Sequence, residues 1–259
     1  MGRFANSGGA RIYFRLEGRD DFPLLVFSHA LGTDHGLWDA QAAALTARFQ
    51  ILRFDTRGHG ASDAQAGEYT MAQLAGDVLS VVDAAGRDRF AYCGLSLGGM
   101  VGQWLGAHHG NRLSRLVLAN TSPRVADPSA FETRRRTVLE RGMAAVTDAA
   151  MERFFSPATR ASRVPVVNTI RHTLLGTDPV GYAGCCAAVR DMDHRRILEG
   201  IGVPTLVIAG DQDQSTPWAG NGEVLAARIP GAVVRRLPTA HLSNLEDPAG
   251  FEAALLEFL

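Results

Sequence analysis

The sequence predicts an α/β fold: a mostly parallel central sheet, helices flanking both of its faces, and one inserted helical cap. Three observations predict it. Short continuous apolar runs alternate with helix-length amphipathic stretches, the pattern of a sheet buried on both sides. Between Ser122 and Gly200 the apolar runs stop, and short helical stretches follow one another, punctuated by Pro123, Pro128, Pro157, Pro165 and Pro179. The chain of 259 residues, 46% hydrophobic and 20% charged, is long enough to bury one large core. These boundaries divide it into a core of residues 1–121 and 201–259 and a cap of residues 122–200.

Taken in order, Arg11 to Leu16 alternates polar and apolar residues, as a half-buried antiparallel edge strand does, and Pro23 to Ser28 is continuously apolar, as a central strand is. Five more compact runs complete the sheet: Gln50 to Phe54, Phe90 to Cys93, Leu113 to Ala119, Pro204 to Ala209 and Ala232 to Leu237. Helical periodicity is clearest at Met71 to Ala85, where Leu74, Val78, Val81 and Val82 share one face, and at Ala249 to Leu259. The cap should sit over the carboxyl ends of the strands, where ligands bind in open α/β sheets.

Charge and cysteine content exclude several functions. Lys and Arg number 26 against 27 Asp and Glu, and no run of like charge exceeds three residues, which argues against nucleic-acid or membrane-surface partners and for a small molecule. Cys93, Cys185 and Cys186 form an odd set with two neighbours, unlike a disulfide framework or a zinc site, so a reducing cytosol and no bound metal are expected. Met1 to Gly18 lacks the apolar stretch and cleavage site of a signal peptide, and no apolar run approaches the roughly 18 residues of a spanning helix.

The chemistry starts at Gly94-Leu95-Ser96-Leu97-Gly98-Gly99, which follows the apolar run ending at Cys93 and leads directly into a helical stretch from Met100 to His108. Strand, sharp turn and helix around G-x-S-x-G resemble the nucleophile elbow of the α/β-hydrolase fold. Residues without side chains let strand and helix close on each other and present the serine hydroxyl. A serine needs a base to take its proton, and in this fold an acid and then a histidine follow it along the chain. Gly210-Asp211-Gln212-Asp213 follows one strand, and Thr239-Ala240-His241 follows the next. His241 is therefore the expected base, oriented by a carboxylate that also stabilises the imidazolium. Asp211 and Asp213 share one loop and are both candidates for that acid. His35, His108, His109, His172 and His194 lack such a context. Asn120 occupies the place where some hydrolases of this fold carry the acid, and its neutral amide cannot replace a carboxylate.

Acyl transfer also needs donors for a tetrahedral oxyanion. The backbone N–H of Leu97, just after the nucleophile, is one candidate, and that of Leu31, in the loop Ser28-His29-Ala30-Leu31-Gly32-Thr33, is the other. His29 is read as bracing that loop. Asp55-Thr56-Arg57-Gly58-His59-Gly60 lacks the spacing and lysine of a phosphate-binding loop and is read as a bracing turn, and Cys93 as a small core residue.

Along nearly its whole length the chain resembles the 3-oxoadipate enol-lactonases of the α/β-hydrolase fold. The resemblance rests on Leu31-Gly32-Thr33-Asp34, Phe54 to Ser62, the elbow, Gly102-Gln103-Trp104-Leu105-Gly106, Asn120-Thr121 and Ala240 to Glu246, with Gly142-Met143-Ala144 and Val189 to Asp193 in the cap. It implies hydrolysis of 3-oxoadipate enol-lactone to 3-oxoadipate, a step of aromatic catabolism through the β-ketoadipate route, without cofactor. It favours Asp213 over Asp211 as the acid. It also points to Arg134, in Arg134-Arg135-Arg136, as the clamp for the substrate carboxylate, against the alternative of a solvated helix face. Two departures stand beside it. Many relatives have glycine in place of Ala30, and such lactonases commonly have Trp-Asn in place of the cap's Phe131-Glu132, where the added carboxylate either repels an anionic substrate or pairs with a nearby arginine. Phe131, Phe154 and Phe155 suit the rival reading, a carboxylesterase or perhydrolase for small neutral esters. A non-catalytic ligand receptor on the same fold is the alternative of another class.

Overall fold

The computed structural model describes residues 2–259. Its strands are β1 (Arg3–Ser7), β2 (Ala10–Glu17), β3 (Leu24–Ser28), β4 (Gln50–Phe54), β5 (Phe90–Leu95), β6 (Leu113–Ala119), β7 (Thr205–Gly210) and β8 (Val233–Leu237). They form one sheet in the order β1-β2-β4-β3-β5-β6-β7-β8. The β1/β2 and β2/β4 pairs are antiparallel and all others parallel. All seven runs expected to be strands are strands, but the run from Arg11 to Leu16, expected at the edge, is flanked by β1 and β4. The additional one, β1, is an edge strand with only Ala5 and Ser7 buried, too short an alternation to stand out.

Helices α1 (Asp39–Leu45), α2 (Met71–Ala84) and α3 (Leu97–His108) belong to the first half of the sheet, and α9 (Glu223–Arg228), α10 (Ser243–Glu246) and α11 (Pro248–Phe258) follow β7 and β8. Between β6 and β7 the chain makes five helices and no strand: α4 (Pro128–Arg141), α5 (Ala144–Phe154), α6 (Pro157–Ser162), α7 (Val164–Gly176) and α8 (Pro179–Asp191). The prolines there start helices: α4, α6, α7 and α8 each carry one in the first turn, where its missing N–H costs nothing. Asp127, Ser156 and Asp178 cap three of these starts by accepting backbone N–H bonds.

The core fills both faces of the sheet. Every residue of β3, β4, β5 and β7 is buried, and Trp38 stacks on Phe27 with ring centroids 4.6 Å apart. Arg57, in the turn after β4, is fully buried against Asp77 of α2 (Nε to Oδ2, 2.9 Å) and also donates to the Ser7 carbonyl, tying that turn to β1. The same turn receives the cap. A Cβ on Gly58, whose φ is +76°, would stand 2.3 Å from Gly181 Cα, so α8 lies on the turn backbone to backbone. Arg190 of α8 adds ion pairs to Glu68, in the loop before α2, at 2.8 Å and to Glu132 of α4 at 2.6 Å. Among the described residues no helix is long and apolar enough to cross a membrane.

Candidate active site

Ser96 sits at the junction of β5 and α3 with φ 56° and ψ −113°, a conformation L-residues rarely adopt. The neighbouring glycines explain how the turn is held. A Cβ on Gly94 would lie 2.2 Å from the Gly98 carbonyl oxygen, and one on Gly98 would lie 2.3 Å from that of Ser28. Three elements thus pack at a distance only glycine allows. The Ser96 N–H donates to the Ala119 carbonyl at 2.9 Å, and its carbonyl accepts the Thr121 hydroxyl at 2.8 Å.

His241, in the loop after β8, is 2% exposed, and its Nδ1 lies 2.8 Å from Asp213 Oδ2. That geometry has Nδ1–H donating and leaves Nε2 as the acceptor. Asp213 follows β7 and is saturated with donors. Besides His241, Oδ2 accepts the Thr216 hydroxyl (2.7 Å) and Asn120 Nδ2 (3.0 Å), while Oδ1 accepts the Ser215 and Thr216 N–H groups at 2.8 and 3.0 Å. Burial alone would push this carboxyl up. The charge and hydrogen bond of His241, the Thr216 N–H and Asn120 outweigh it and hold it well below the usual carboxylate range. Asp211 points elsewhere, pairing with Arg236 at the surface at 2.8 Å. The Asn120 amide also donates to the Ala240 carbonyl at 3.2 Å and its oxygen accepts the Ser243 hydroxyl, so it ties Asp213 to the histidine loop.

The loop after β3 is strapped by histidines. His29 Nε2 accepts the Thr56 N–H at 2.8 Å while Nδ1 contacts the Ala30 carbonyl, and His59 Nε2 accepts the Gly32 N–H at 2.9 Å. Thr33 donates to Ala30. Among the described residues the N–H groups of Leu31 and Leu97 bond no protein acceptor, and that of Leu97 opens helix α3.

Ser96 and His241 line a cavity of about 480 Å³ under the cap, with Leu31, Phe131, Arg134 and Arg153 also on its walls. The Arg134 guanidinium lies over the Phe131 ring, 4.6 Å from its centroid. Glu132 faces away, paired with Arg135 (2.9 Å), Arg136 (3.1 Å) and Arg190, which resolves the choice between repulsion and pairing in favour of pairing. Phe154 of α5 stacks on His241, centroids 5.9 Å apart, and its carbonyl accepts the Leu242 N–H. Glu246 accepts the Ser156 N–H and the Ala240 N–H, and Arg163 donates to the Leu245 and Glu246 carbonyls. All three cysteines are free, buried and held as thiols by that burial.

The fold and this serine-lined cavity define an α/β hydrolase. Residues 23–248 match the family described as "alpha/beta hydrolase fold". More particularly, the chain belongs to the 3-oxoadipate enol-lactonase family and is a hydrolase. It is 35% identical to 3-oxoadipate enol-lactonase 2 of Acinetobacter baylyi over 238 residues, 92% of this chain and 89% of that protein. The solved enol-lactonase of Burkholderia xenovorans LB400 is 38% identical with a TM-score of 0.96, covering 99% of each chain. A hydrolase of Pseudomonas aeruginosa PA01 is 46% identical with the same TM-score, covering 99% of this chain and 97% of its own.

Proposed function

We propose that this protein opens 3-oxoadipate enol-lactone to 3-oxoadipate, with Ser96 as nucleophile, His241 as base and then acid, and Asp213 as the orienting carboxylate. The observation that carries the reading is the buried His241–Asp213 pair, whose histidine lines the same cavity as Ser96 and Arg134. His241 Nε2 takes the hydroxyl proton as Ser96 Oγ attacks the lactone carbonyl, and the oxyanion is met by the unspent N–H groups of Leu31 and Leu97. The ring C–O bond then breaks, and the enol oxygen leaves with the proton from His241 and tautomerises to the ketone. Water attacks the acyl-serine with His241 again as base, releasing the new carboxylate and restoring the Ser96 hydroxyl. Arg134 receives the carboxylate that the lactone already carries, while Phe131 covers the apolar chain. In this reading residues 122–200 are a cap domain that excludes water over a core of 1–121 and 201–259.

The test compares kcat/KM on 3-oxoadipate enol-lactone and on p-nitrophenyl acetate. The expected result is a preference for the lactone of at least about a hundredfold, with Ser96→Ala lowering kcat about 10⁴-fold or more while leaving the circular dichroism spectrum unchanged. An equal or better rate on the neutral ester would replace the lactonase reading by a general esterase. Near-native turnover by Ser96→Ala would remove the serine mechanism.

A further inference from the structure

The cap distributes its arginines unevenly. On its outer side Arg135, Arg136 and Arg190 are matched by Glu68, Glu132 and Asp191. On its inner side Arg134 of α4 and Arg153 of α5 line the Ser96 cavity, and among the described residues neither has an ion-pair partner. The charged groups on the cavity wall are Arg124, Arg134 and Arg153 against a single carboxylate, Asp127, whose side chain accepts from Ser129 at the start of α4. The wall is therefore cationic, and its one acid is engaged elsewhere.

Arg134 and Arg153 are also close enough to act on each other and on one phenol. Burial weakens the hold of Arg153 on its proton, and the charge of Arg134 weakens it further. The buried Tyr182 lines the same cavity, and its phenol feels the charge of both guanidiniums. Two partly desolvated like charges next to a hydroxyl form an arrangement that an anion relieves. A carboxylate has two oxygens and accepts from two guanidiniums at once.

We infer that Arg153, Arg134 and Tyr182 form one composite carboxylate site, and that Arg153 is a second determinant of preference for acyl chains ending in a carboxylate. The inference rests on the lactonase reading for its substrate, but the site is defined by its cations alone. Arg153 is fixed in relation to the chemistry because its neighbour on α5, Phe154, stacks on His241. A substrate gripped by both arginines has its length measured from the anchored carboxylate to Ser96. Arg153 acts through binding, so its loss registers in KM rather than kcat.

The test is calorimetric titration of the full chain with adipate, a six-carbon dianion, and with neutral hexanamide, using Arg153→Met, Arg153→Lys, Arg134→Met and the double variant. Arg153→Met should weaken adipate about tenfold, with Lys recovering part of the loss and hexanamide changing less than twofold. The double variant should lose less than the product of the single losses, because both arginines hold the same carboxylate. On the enol-lactone, Arg153→Met should raise KM about tenfold with kcat within about twofold. Adipate binding within twofold of the unaltered chain, equal losses for adipate and hexanamide, or no adipate binding by the unaltered chain would each overturn the site. Arg153-dependent adipate binding without lactone turnover would sink the lactonase reading and leave this one standing. Lactone turnover indifferent to Arg153 would do the reverse.

Discussion

Asp213→Asn replaces one oxygen of a carboxylate that accepts five hydrogen bonds, and each way of placing the new NH2 has a cost. Turned toward Oδ1, it faces the Ser215 and Thr216 N–H groups, which cannot become acceptors. Turned toward Oδ2, its two hydrogens face two side chains that can adapt, since the Thr216 hydroxyl rotates and His241 moves its proton from Nδ1 to Nε2, while the Asn120 amide, held by the Ala240 carbonyl and Ser243, loses its bond. The second arrangement loses fewer bonds, so it should prevail. It leaves Nε2 protonated and unable to accept from Ser96. The imidazolium formed during attack also loses its carboxylate. Trapping the wrong tautomer in this way costs about 10⁴ in kcat, or roughly 5.5 kcal/mol of barrier. Steady-state turnover of the preferred substrate gives kcat, and nitrogen-15 NMR of the imidazole reports which nitrogen carries the proton. A kcat within tenfold of the unaltered protein, or a proton still on Nδ1, would refute the reasoning.

Two further predictions concern stability. Asp77→Ala strands the Arg57 guanidinium in the core and should cost about 3–5 kcal/mol in urea denaturation; a loss below about 1 kcal/mol would mean that Arg57 finds water or another acceptor. Acidification should destabilise the fold well before most carboxylates titrate. Burial lowers the pKa of His29, takes His59 down to about 3 and His194 down to about 4, against 6.5 in the unfolded chain. Below 6.5 the unfolded state binds more protons, so stability should fall with a slope approaching about 1.4 kcal/mol per pH unit each for His59 and His194, with His29 adding in the same direction. His35, raised by its hydrogen bond to Asp55, acts with opposite sign and only above 6.5. Urea midpoints at pH 6.5, 5.75 and 5 measure the slope, and a flat profile would contradict it.

Sequence carried the sheet because its strands are buried on both faces and so read as unbroken apolar runs. The alternation of β1 covers only two buried positions, and nothing separated it from a tail. The elbow was legible because glycine is forced there by contacts under 3 Å. The choice between Asp211 and Asp213 was not legible from local sequence, since it depends on which carboxylate the loop turns toward Asn120, Thr216 and His241. Arg153 left no mark at all. One arginine on an amphipathic helix looks like surface, and only the packing of α5 against the histidine loop brings it to the cavity. The role of Asn120 is half visible: its amide cannot stand in for a carboxylate, but as a donor to Asp213 it emerges only when β6, β7 and the loop after β8 are brought together.

The hydrogen bonds between Phe154, Ser156 and Arg163 and the 242–246 segment join the roof of the cavity to the loop that carries His241. Raising helix α5 would break the bond between Leu242 and Phe154 or draw Leu242 with it and move His241, so the position of the roof and that of His241 are coupled. For protein engineering this makes the roof and the base a single part. A cap transplanted from a relative to admit other substrates would have to bring its own partners for Leu242, Leu245 and Glu246, or accept a misaligned base along with the new pocket.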